Sequence, residues 1–379
     1  MLSTLSVVNT NDSGAGSLRA EIAAAHNGDT IQFDPNLFAS GPQTIALTSG
    51  ELLIKHNLTI SGPGAAELTI SGDNLSRVFE LGSSQAKPTV TISGVTLSGG
   101  DGVAAAGSSN YFDGSGGAVL NWGTLTVNNC TLSGNSAHGS GNGGGAIENQ
   151  GTLTVTGSTL SGNSETGGGL GGAIENAGGT LKVSSSTLSG NTAYGGGAIL
   201  NEGTLLISAS TLSGNSAKNP GGVGGFGNGG AIQSFPVSSR LAYQLNVSTC
   251  IFTNNSAGHA GGAISVESSC LITGSTFGGA AGLGNSATFG GAIYVQTPPQ
   301  VYANSVTLSG CTLSYNAATG EGGGLYVTSG AIVTIENSTS IIDNTAPVGY
   351  GPDVYNTGVL YVDSSSAIGS LDGNPAQPI

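Results

Sequence analysis

The strongest constraint on this chain is a block of residues that recurs four times in succession within residues 116–215. The copies read GGAVLNWGTLTVNNCTLSGN, GGAIENQGTLTVTGSTLSGN, GGAIENAGGTLKVSSSTLSGN and GGAILNEGTLLISASTLSGN. Looser copies follow, and their closing asparagines fall at positions 255, 285, 316 and 344. A repeat of roughly 25 to 40 residues with a constant internal sequence pattern is the signature of a solenoid.

Within each copy, apolar and polar residues alternate with a period of two, which is typical of β-strands. Leu153 and Val155, for example, alternate with Thr152 and Thr154. Glycine and asparagine separate three short strands in each copy, because tight corners need positive φ or side-chain bonds to the backbone. No segment between the strands has room for a helix, so equivalent strands of successive copies pair in parallel. The predicted fold is therefore all-β, a β-helix with three parallel sheets.

The chain divides into four predicted segments. Residues 1–35 form an N-terminal cap, with a strand at 5–8 and one short helix between an N-cap at Ser17 and a stop at Gly28. Residues 36–98 form the first irregular coils, residues 99–345 the regular coils, and residues 346–379 the last coil and tail. Loops at 99–116 and 217–229 are predicted to leave one corner, and loops at 234–243 and 296–305 to leave the next.

Stacking the copies about 4.8 Å apart predicts columns of identical residues. Two columns are asparagine ladders, whose amides bond from coil to coil and hold the corners. Their members are Asn121, Asn149, Asn176 and Asn201 at one corner, and Asn135, Asn163, Asn191 and Asn215 at the other. The interpretation of these asparagines is structural.

Composition excludes several partners. The chain has 379 residues, a net charge of −14 and only 7 lysines and arginines, which argues against nucleic acid and anionic membranes. It has no apolar run of the length that spans a bilayer. The residues after Met1 have no basic region and no long apolar run, so a signal peptide is not visible in this chain. The four histidines share no column, and neither a metal site nor a cofactor is predicted.

Two stretches carry a family resemblance. The segment NDSGAGSLRAEI at 11–22 and the later LTISGPG at 58–64 resemble the start of secreted bacterial right-handed parallel β-helix proteins. The repeated GGAI and the segment FTNN at 252–255 resemble the repeats of chlamydial polymorphic outer membrane proteins. The resemblance implies a right-handed β-helix of the pectate-lyase-like superfamily, in a bacterial protein that is secreted or on the cell surface. It implies no particular activity, because a fold does not determine a function.

Two columns are candidate ligand-binding sites. Glu148 and Glu175 occupy one column a single coil apart, a spacing that suits a glycosidase carboxylate pair or a weak calcium site. The favoured interpretation is two solvated carboxylates on an outward face. Tyr294, Tyr326 and Tyr355 continue that column. Exposed tyrosine ladders can bind sugar rings, but ordinary surface stacking is the favoured interpretation.

Outward positions of the third strand form a lattice of hydroxyl groups, spaced about 4.8 Å across coils and about 6.7 Å along the strand. Its members are Thr131, Ser133, Thr159, Ser161, Thr187, Ser189, Thr211 and Ser213. Such lattices occur in ice-binding solenoids, although threonine also suits exposed strand positions and Ile251 interrupts the pattern. The four cysteines are predicted to be buried free thiols.

These observations favour a non-catalytic, adhesin-like structural rod that contacts polysaccharide or a host or neighbouring cell surface. No catalytic residues are legible, but a polysaccharide-binding or polysaccharide-cleaving enzyme of pectate-lyase type is the alternative. An ice-binding surface and an extracellular filament are further alternatives. In the filament alternative, the C-terminal coils around Tyr355 and residues 360–362 mediate end-to-end self-association, and a capped rod is favoured over it.

Overall fold

The computed structural model describes residues 2–102, 114–139, 143–218, 227–235, 244–297 and 305–379. These residues form an all-β parallel solenoid of about 12 turns, as the alternation predicts. Most of the predicted long loops, at 103–113, 219–226, 236–243 and 298–304, lie outside the described residues. The chain divides into two compact units, residues 1–187 and 188–379, and each unit repeats the same strand positions.

The strands fall into four sets, here numbered sheets 1 to 4, and within each set the strands pair in parallel. In the first unit, sheet 1 contains Thr4–Val7, Asp29–Phe33, Leu58–Ser61, Thr89–Ser93, Thr124–Asn128, Thr152–Thr156 and Thr180–Ser184. Sheet 2 contains Gln43–Ala46, Leu68–Ser71, Thr96–Ser98, Thr131–Ser133 and Thr159–Ser161. Sheet 3 contains Leu52–Ile54, Phe79–Leu81, Val119–Asn121, Ile147–Asn149 and Ile174–Asn176, and sheet 4 contains Ser136–Ala137 and Ser164–Glu165.

The second unit has the same four sets. Sheet 1 contains Thr204–Ser208, Gln244–Ser248, Ser269–Thr273, Ser305–Ser309, Ile332–Glu336, Val359–Val362 and Gln377–Pro378. Sheet 2 contains Thr211–Ser213, Ile251–Thr253, Thr276–Gly278, Thr312–Ser314, Ser340–Ile342 and Ala367–Ile368, and its strand Thr187–Ser189 spans the boundary between the units. Sheet 3 contains Ile199–Asn201, Ile232–Ser234, Ile264–Val266, Ile293–Val295, Leu325–Val327, Val354–Asn356 and Leu371–Gly373. Sheet 4 contains Thr192–Ala193, Ser216–Ala217, Ser256–Ala257, Ser286–Ala287 and Ala317–Ala318.

Residues 1–35, which are predicted to form a cap, contain the predicted strand and helix. Helix Leu18–Ala24 begins after Ser17, whose hydroxyl accepts a hydrogen bond from the Ala20 N–H at 3.2 Å. It ends before the predicted stop at Gly28, which instead makes a turn at φ +90° and donates its N–H to Asn57 O. A 3₁₀ helix, Pro35–Phe38, was not expected from the sequence.

The core consists of the inward columns that the alternation predicts. In the first unit Leu132 pairs in register with Leu160, and both side chains are fully buried. In the second unit Phe252 and Phe277 occupy the same column, and their rings stack in parallel with centroids 4.6 Å apart. All four cysteines are free and buried, and burial raises the pKa of the Cys130, Cys250 and Cys311 thiols.

The asparagine columns are hydrogen-bonded ladders. At the corner after sheet 3, Asn121 Nδ2 donates to Asn149 Oδ1 and Asn149 Nδ2 donates to Asn176 Oδ1, each at 2.7 Å. In the second unit, Asn201 donates to the Ser234 hydroxyl at 3.0 Å, so that ladder changes residue type.

The ladder at the corner after sheet 2 is longer. Asn135 Nδ2 donates to Asn163 Oδ1 at 3.0 Å in the first unit. In the second unit, side-chain amides bond in sequence from Asn191 to Asn344 at 2.8–2.9 Å, through Asn215, Asn255, Asn285 and Asn316. Asn344 then donates to Asp353 Oδ1 at 3.0 Å. Each amide satisfies polar groups of two coils, which explains why asparagine recurs at a buried corner.

Candidate functional site

The three predicted tyrosines lie side by side on the outer face of sheet 3 in the second unit. Tyr294 pairs in register with Tyr326, and Tyr326 pairs with Tyr355. Adjacent ring centroids are 5.3 Å apart in both contacts, and the rings meet edge to face at 85° and 76°. Tyr294 is 9% exposed, while Tyr326 and Tyr355 are half-buried. Edge-to-face packing leaves part of the Tyr326 and Tyr355 rings open to solvent.

Other aromatic rings extend this column, and periodicity did not predict them. The ring centroid of Phe289 lies 6.0 Å from that of Tyr326, and the ring centroid of His259 lies 5.3 Å from that of Phe289. Tyr350 lies 6.5 Å from Tyr355. The regular strands do not include Phe289, His259 or Tyr350, so the repeat pattern does not predict where these rings lie. We call these six residues together the tyrosine face.

Carboxylates accompany the tyrosine face. Burial, with contributions from Tyr326, Glu267 and Glu321, raises the pKa of Tyr294 to about 12. Burial also raises the pKa of Tyr326, with Glu321 and Tyr355 adding to the shift. The Tyr294 and Tyr326 phenols are therefore neutral hydroxyl groups at physiological pH. Aromatic rings beside carboxylates offer apolar faces and hydrogen-bond acceptors together, which suits a ligand rich in hydroxyl groups.

The structure corrects the prediction that Glu148 and Glu175 are solvated carboxylates. The two residues are in register, as the column predicts, but they are 0% and 3% exposed, so the expectation of solvated carboxylates is wrong. Gln150 Nε2 donates to Glu148 Oε1 at 2.6 Å. A Cβ at Gly143 would lie 1.8 Å from Leu170 O and 2.9 Å from Glu175 Oε2, so bare backbone packs against this carboxylate.

Burial at this position has a consequence for chemistry. A polymeric substrate cannot reach carboxylates that are buried under the backbone, so the pair does not form an open glycosidase site. Within the described ranges, no group of three or more His, Cys, Asp or Glu side chains is arranged to hold a metal ion. A weak calcium site between the two carboxylates stays a hypothesis.

The hydroxyl lattice occupies outward positions of sheet 2. Thr131 pairs with Thr159 and Ser133 pairs with Ser161 in the first unit, and all four are half-buried. The lattice continues through Thr96 and Ser98, which pair with Thr131 and Ser133. Thr187 and Ser189 are half-buried at the equivalent positions. In the second unit, Thr211 pairs with Ile251, which is 47% exposed and interrupts the hydroxyl pattern.

Glu165 is a buried acid that the sequence analysis missed. It pairs with Ala137 in sheet 4 and is 3% exposed. The equivalent residues of the second unit are Ala193, Ala217, Ala257, Ala287 and Ala318. Glu165 Oε1 accepts from the Gly167 N–H at 2.7 Å, while Oε2 is buried without a hydrogen-bond partner among the described residues. The signal available in the sequence was a glutamate within a column of alanines.

Burial raises the pKa of Glu165 to about 7, although backbone N–H groups of Gly167 to Gly169 oppose the shift. The folded protein therefore binds more protons than the unfolded chain between about pH 4.5 and pH 7, and stability falls as pH rises through this window. In the wild type, the free energy of unfolding should fall by about 3 kcal/mol at most across this pH window. In Glu165→Ala, we expect this fall to disappear. Urea denaturation of both proteins at several pH values measures it. Ser164→Ala, a neighbouring non-ionisable change, should give a curve parallel to the wild type. Parallel curves for wild type and Glu165→Ala would contradict the assignment.

Comparison with known proteins finds a family model that matches two short parts of the chain. The family model of the Chlamydia polymorphic membrane protein repeat matches residues 185–202 and 249–267. Each range runs from the end of one recurring copy into the start of the next. The chain is a β-helix repeat protein. No curated protein sequence matches this β-helix repeat protein significantly.

Several solved structures are similar to this β-helix repeat protein at low identity. ORF18 of Geobacillus virus E2 matches with a TM-score of 0.42 and 11% identity, covering 94% of this chain and 62% of that chain. Pectate lyase Pel9A matches with a TM-score of 0.38 and 12% identity over 99% of this chain and 79% of that chain. Tailspike protein 3 of bacteriophage CBA120 matches with a TM-score of 0.45 and 12% identity over 95% of this chain and 57% of that chain. The chain thus spans about three fifths of the length of the viral proteins it matches.

Proposed function

We propose that this chain is an adhesin-like β-solenoid, secreted or on the cell surface, that binds uncharged polysaccharide through the tyrosine face. The observation that carries the proposal is the register of Tyr294, Tyr326 and Tyr355 on one outer face, with Glu267 and Glu321 beside them. The surface assignment is supported by the matched repeat, whose family is described as a polymorphic membrane protein. None of the described helices has the length and apolar character to cross a bilayer.

The geometry of the face favours sugar rings over flat aromatic ligands. Edge-to-face packing of Tyr326 between its two neighbours gives a stepped apolar surface with a repeat of 5.3 Å between rings. A pyranose presents C–H groups to an aromatic ring and hydroxyl groups at its rim. The rim hydroxyls would donate to Glu267 and Glu321.

The charge of the protein selects among polysaccharides. A net charge of −14 and the carboxylates at the face disfavour a polyuronate, which would be repelled. An uncharged glucan, mannan or galactan meets no such repulsion. This preference separates the proposal from the pectate-lyase alternative, which requires an acidic polymer as substrate.

Affinity electrophoresis in gels that contain uncharged polysaccharides tests the proposal. We expect at least one such polymer to retard the wild-type chain and polygalacturonate to leave it unaffected. Removal of the central ring in Tyr326→Ala should weaken binding by about ten-fold, equivalent to about 1.4 kcal/mol. The reason is that Tyr326 contacts both neighbouring tyrosines and Phe289.

Tyr194→Ala is the matched control, since Tyr194 is a 42% exposed tyrosine of the same unit and forms no part of the tyrosine face. It should migrate as the wild type does. Equal mobility of all three proteins in every uncharged polymer would overturn the proposal. Release of unsaturated products from polygalacturonate, with or without calcium, would favour the lyase alternative instead.

A further inference from the structure

Three side chains from successive coils of the first unit form a line of polar contacts at one edge of the solenoid. Thr166 Oγ1 lies 2.6 Å from His138 Nδ1. On the other side of the imidazole, His138 Nε2 lies 3.2 Å from Asp101 Oδ1. The sequence gives no sign of this arrangement, because 37 and 28 residues separate the three positions along the chain.

The repeat geometry explains how the three residues meet. Asp101 forms a parallel bridge with Ser136, and Ser136 pairs with Ser164 in sheet 4. His138 and Thr166 each follow a sheet 4 strand by one residue, so they occupy equivalent positions in adjacent coils. Gly167 permits close approach, since a Cβ there would lie 2.3 Å from His138 O.

The 2.6 Å hydrogen bond and the 3.2 Å ion-pair contact are compatible with one set of protons. Asp101 is an acceptor when ionised, so His138 Nε2 carries the proton that is donated to it. In a neutral imidazole, Nδ1 is then an acceptor. It accepts a hydrogen bond from the Thr166 hydroxyl, whose Oγ1 lies 2.6 Å from Nδ1. The same hydroxyl is also placed to donate to Ala137 O at 3.3 Å, so its one proton is shared between the two acceptors, of which His138 Nδ1 is the nearer. A hydroxyl bonded to a base that a carboxylate orients is the arrangement that activates a nucleophile.

The line is accessible from solvent. The Thr166 side chain is exposed, the His138 side chain is 43% exposed and the Asp101 side chain is 19% exposed. The Gly167 N–H beside the hydroxyl is engaged by Glu165 at 2.7 Å. Activation here therefore comes from the base and its carboxylate, and the chemistry suits esters with good leaving groups.

We propose that Thr166 is a nucleophile toward activated carboxylic esters, with His138 as its general base and Asp101 as the residue that positions the imidazole. The Thr166 oxygen attacks the ester carbonyl while His138 Nδ1 takes the hydroxyl proton. The C–O bond to the leaving group breaks, the leaving alcohol receives that proton, and an acyl-threonine remains. Water, deprotonated by the same imidazole, then attacks the acyl carbon. The bond from that carbon to Thr166 Oγ1 breaks, Oγ1 takes the proton back from His138, and the carboxylic acid leaves. This activity is separate from polysaccharide binding and uses residues of the first unit alone.

Acetylation of the full chain by p-nitrophenyl acetate, mapped by peptide mass spectrometry, tests the proposal. We expect the acetyl group on Thr166 in the wild type and in Thr166→Ser, which keeps a hydroxyl group. Thr166→Val keeps the shape and should remove the modification. His138→Gln keeps hydrogen-bonding groups without a base and should slow acetylation of Thr166 by about 10²-fold.

Thr288→Val is the control variant. Thr288 occupies the equivalent position in another coil and donates to Gly258 O at 3.1 Å, with a glycine where His138 stands. Its replacement should leave acetylation of Thr166 unchanged. Acetylation of Thr288 as fast as that of Thr166, or an unchanged rate at Thr166 in His138→Gln, would overturn the proposal.

The role of Asp101 is tested by the tautomer of the His138 imidazole, because a residue that only stabilises the fold would not change which nitrogen carries the proton. Long-range ¹H–¹⁵N NMR of the imidazole reports which nitrogen carries the proton. We expect an Nε2–H tautomer in the wild type and a mixture of tautomers in Asp101→Ala, together with slower acetylation of Thr166. An unchanged tautomer and rate in Asp101→Ala would remove Asp101 from the mechanism.

Discussion

Leu160→Asp should destabilise the protein by about 4–5 kcal/mol or more, the range reached when a charge is buried without a partner. Leu160 is fully buried in the inward column of sheet 2, in register with Leu132. An aspartate at this position would place a carboxylate among apolar side chains, where water cannot solvate it. Chemical denaturation of the variant, compared with the wild type, measures the loss.

Thr159→Asp is the matched control, because it introduces the same charge one residue earlier. Thr159 is half-buried on the outer side of the same strand, where a carboxylate can reach solvent. We expect a change of about 0.5 kcal/mol. Since a shift of one residue exchanges the two faces of a strand, equal losses from the two variants would mean that the inward and outward assignment is wrong.

Asn255→Ala should cost about 3–5 kcal/mol, since each buried polar group left without a partner costs about 1–3 kcal/mol. Asn255 is fully buried in the long ladder of the second unit. Its Oδ1 accepts from both the backbone and the side chain of Asn215, and its Nδ2 donates to Leu212 O and Asn285 Oδ1. Truncation to alanine leaves the Asn215 backbone N–H and side-chain Nδ2 without their acceptor, and it leaves a gap at the corner between coils.

Asn246→Ala provides the comparison for the ladder, because Asn246 is half-buried on the outer face of sheet 1. Its loss should stay within about 0.5 kcal/mol. Hydrogen exchange should also locate the effect of Asn255→Ala at the coils that contain Asn215 and Asn285, since coils of a solenoid contact only their neighbours. Uniformly small losses from both variants would contradict a stabilising role for the ladder.

The residues of the tyrosine face were predictable in part. Tyr294, Tyr326 and Tyr355 stand at one repeat position, so their register follows from counting residues. Phe289 and His259 contact the same face from outside the strands. Their placement depends on how each turn packs against the next coil, and no alternation of residue types records that.

The sequence by itself determined the parallel coils, the inward columns and the asparagine corners. The physical reason is that a period of two assigns each residue to a face, and parallel stacking then places equivalent residues side by side. Leu132 with Leu160 and Asn255 with Asn285 follow from this rule alone. Tertiary structure decided what covers the outward positions and which irregular residues meet. Glu148 is buried although its repeat position points outward. Asp101, His138 and Thr166 form one line of polar contacts because parallel stacking brings Asp101 beside Ser136 and Ser136 beside Ser164.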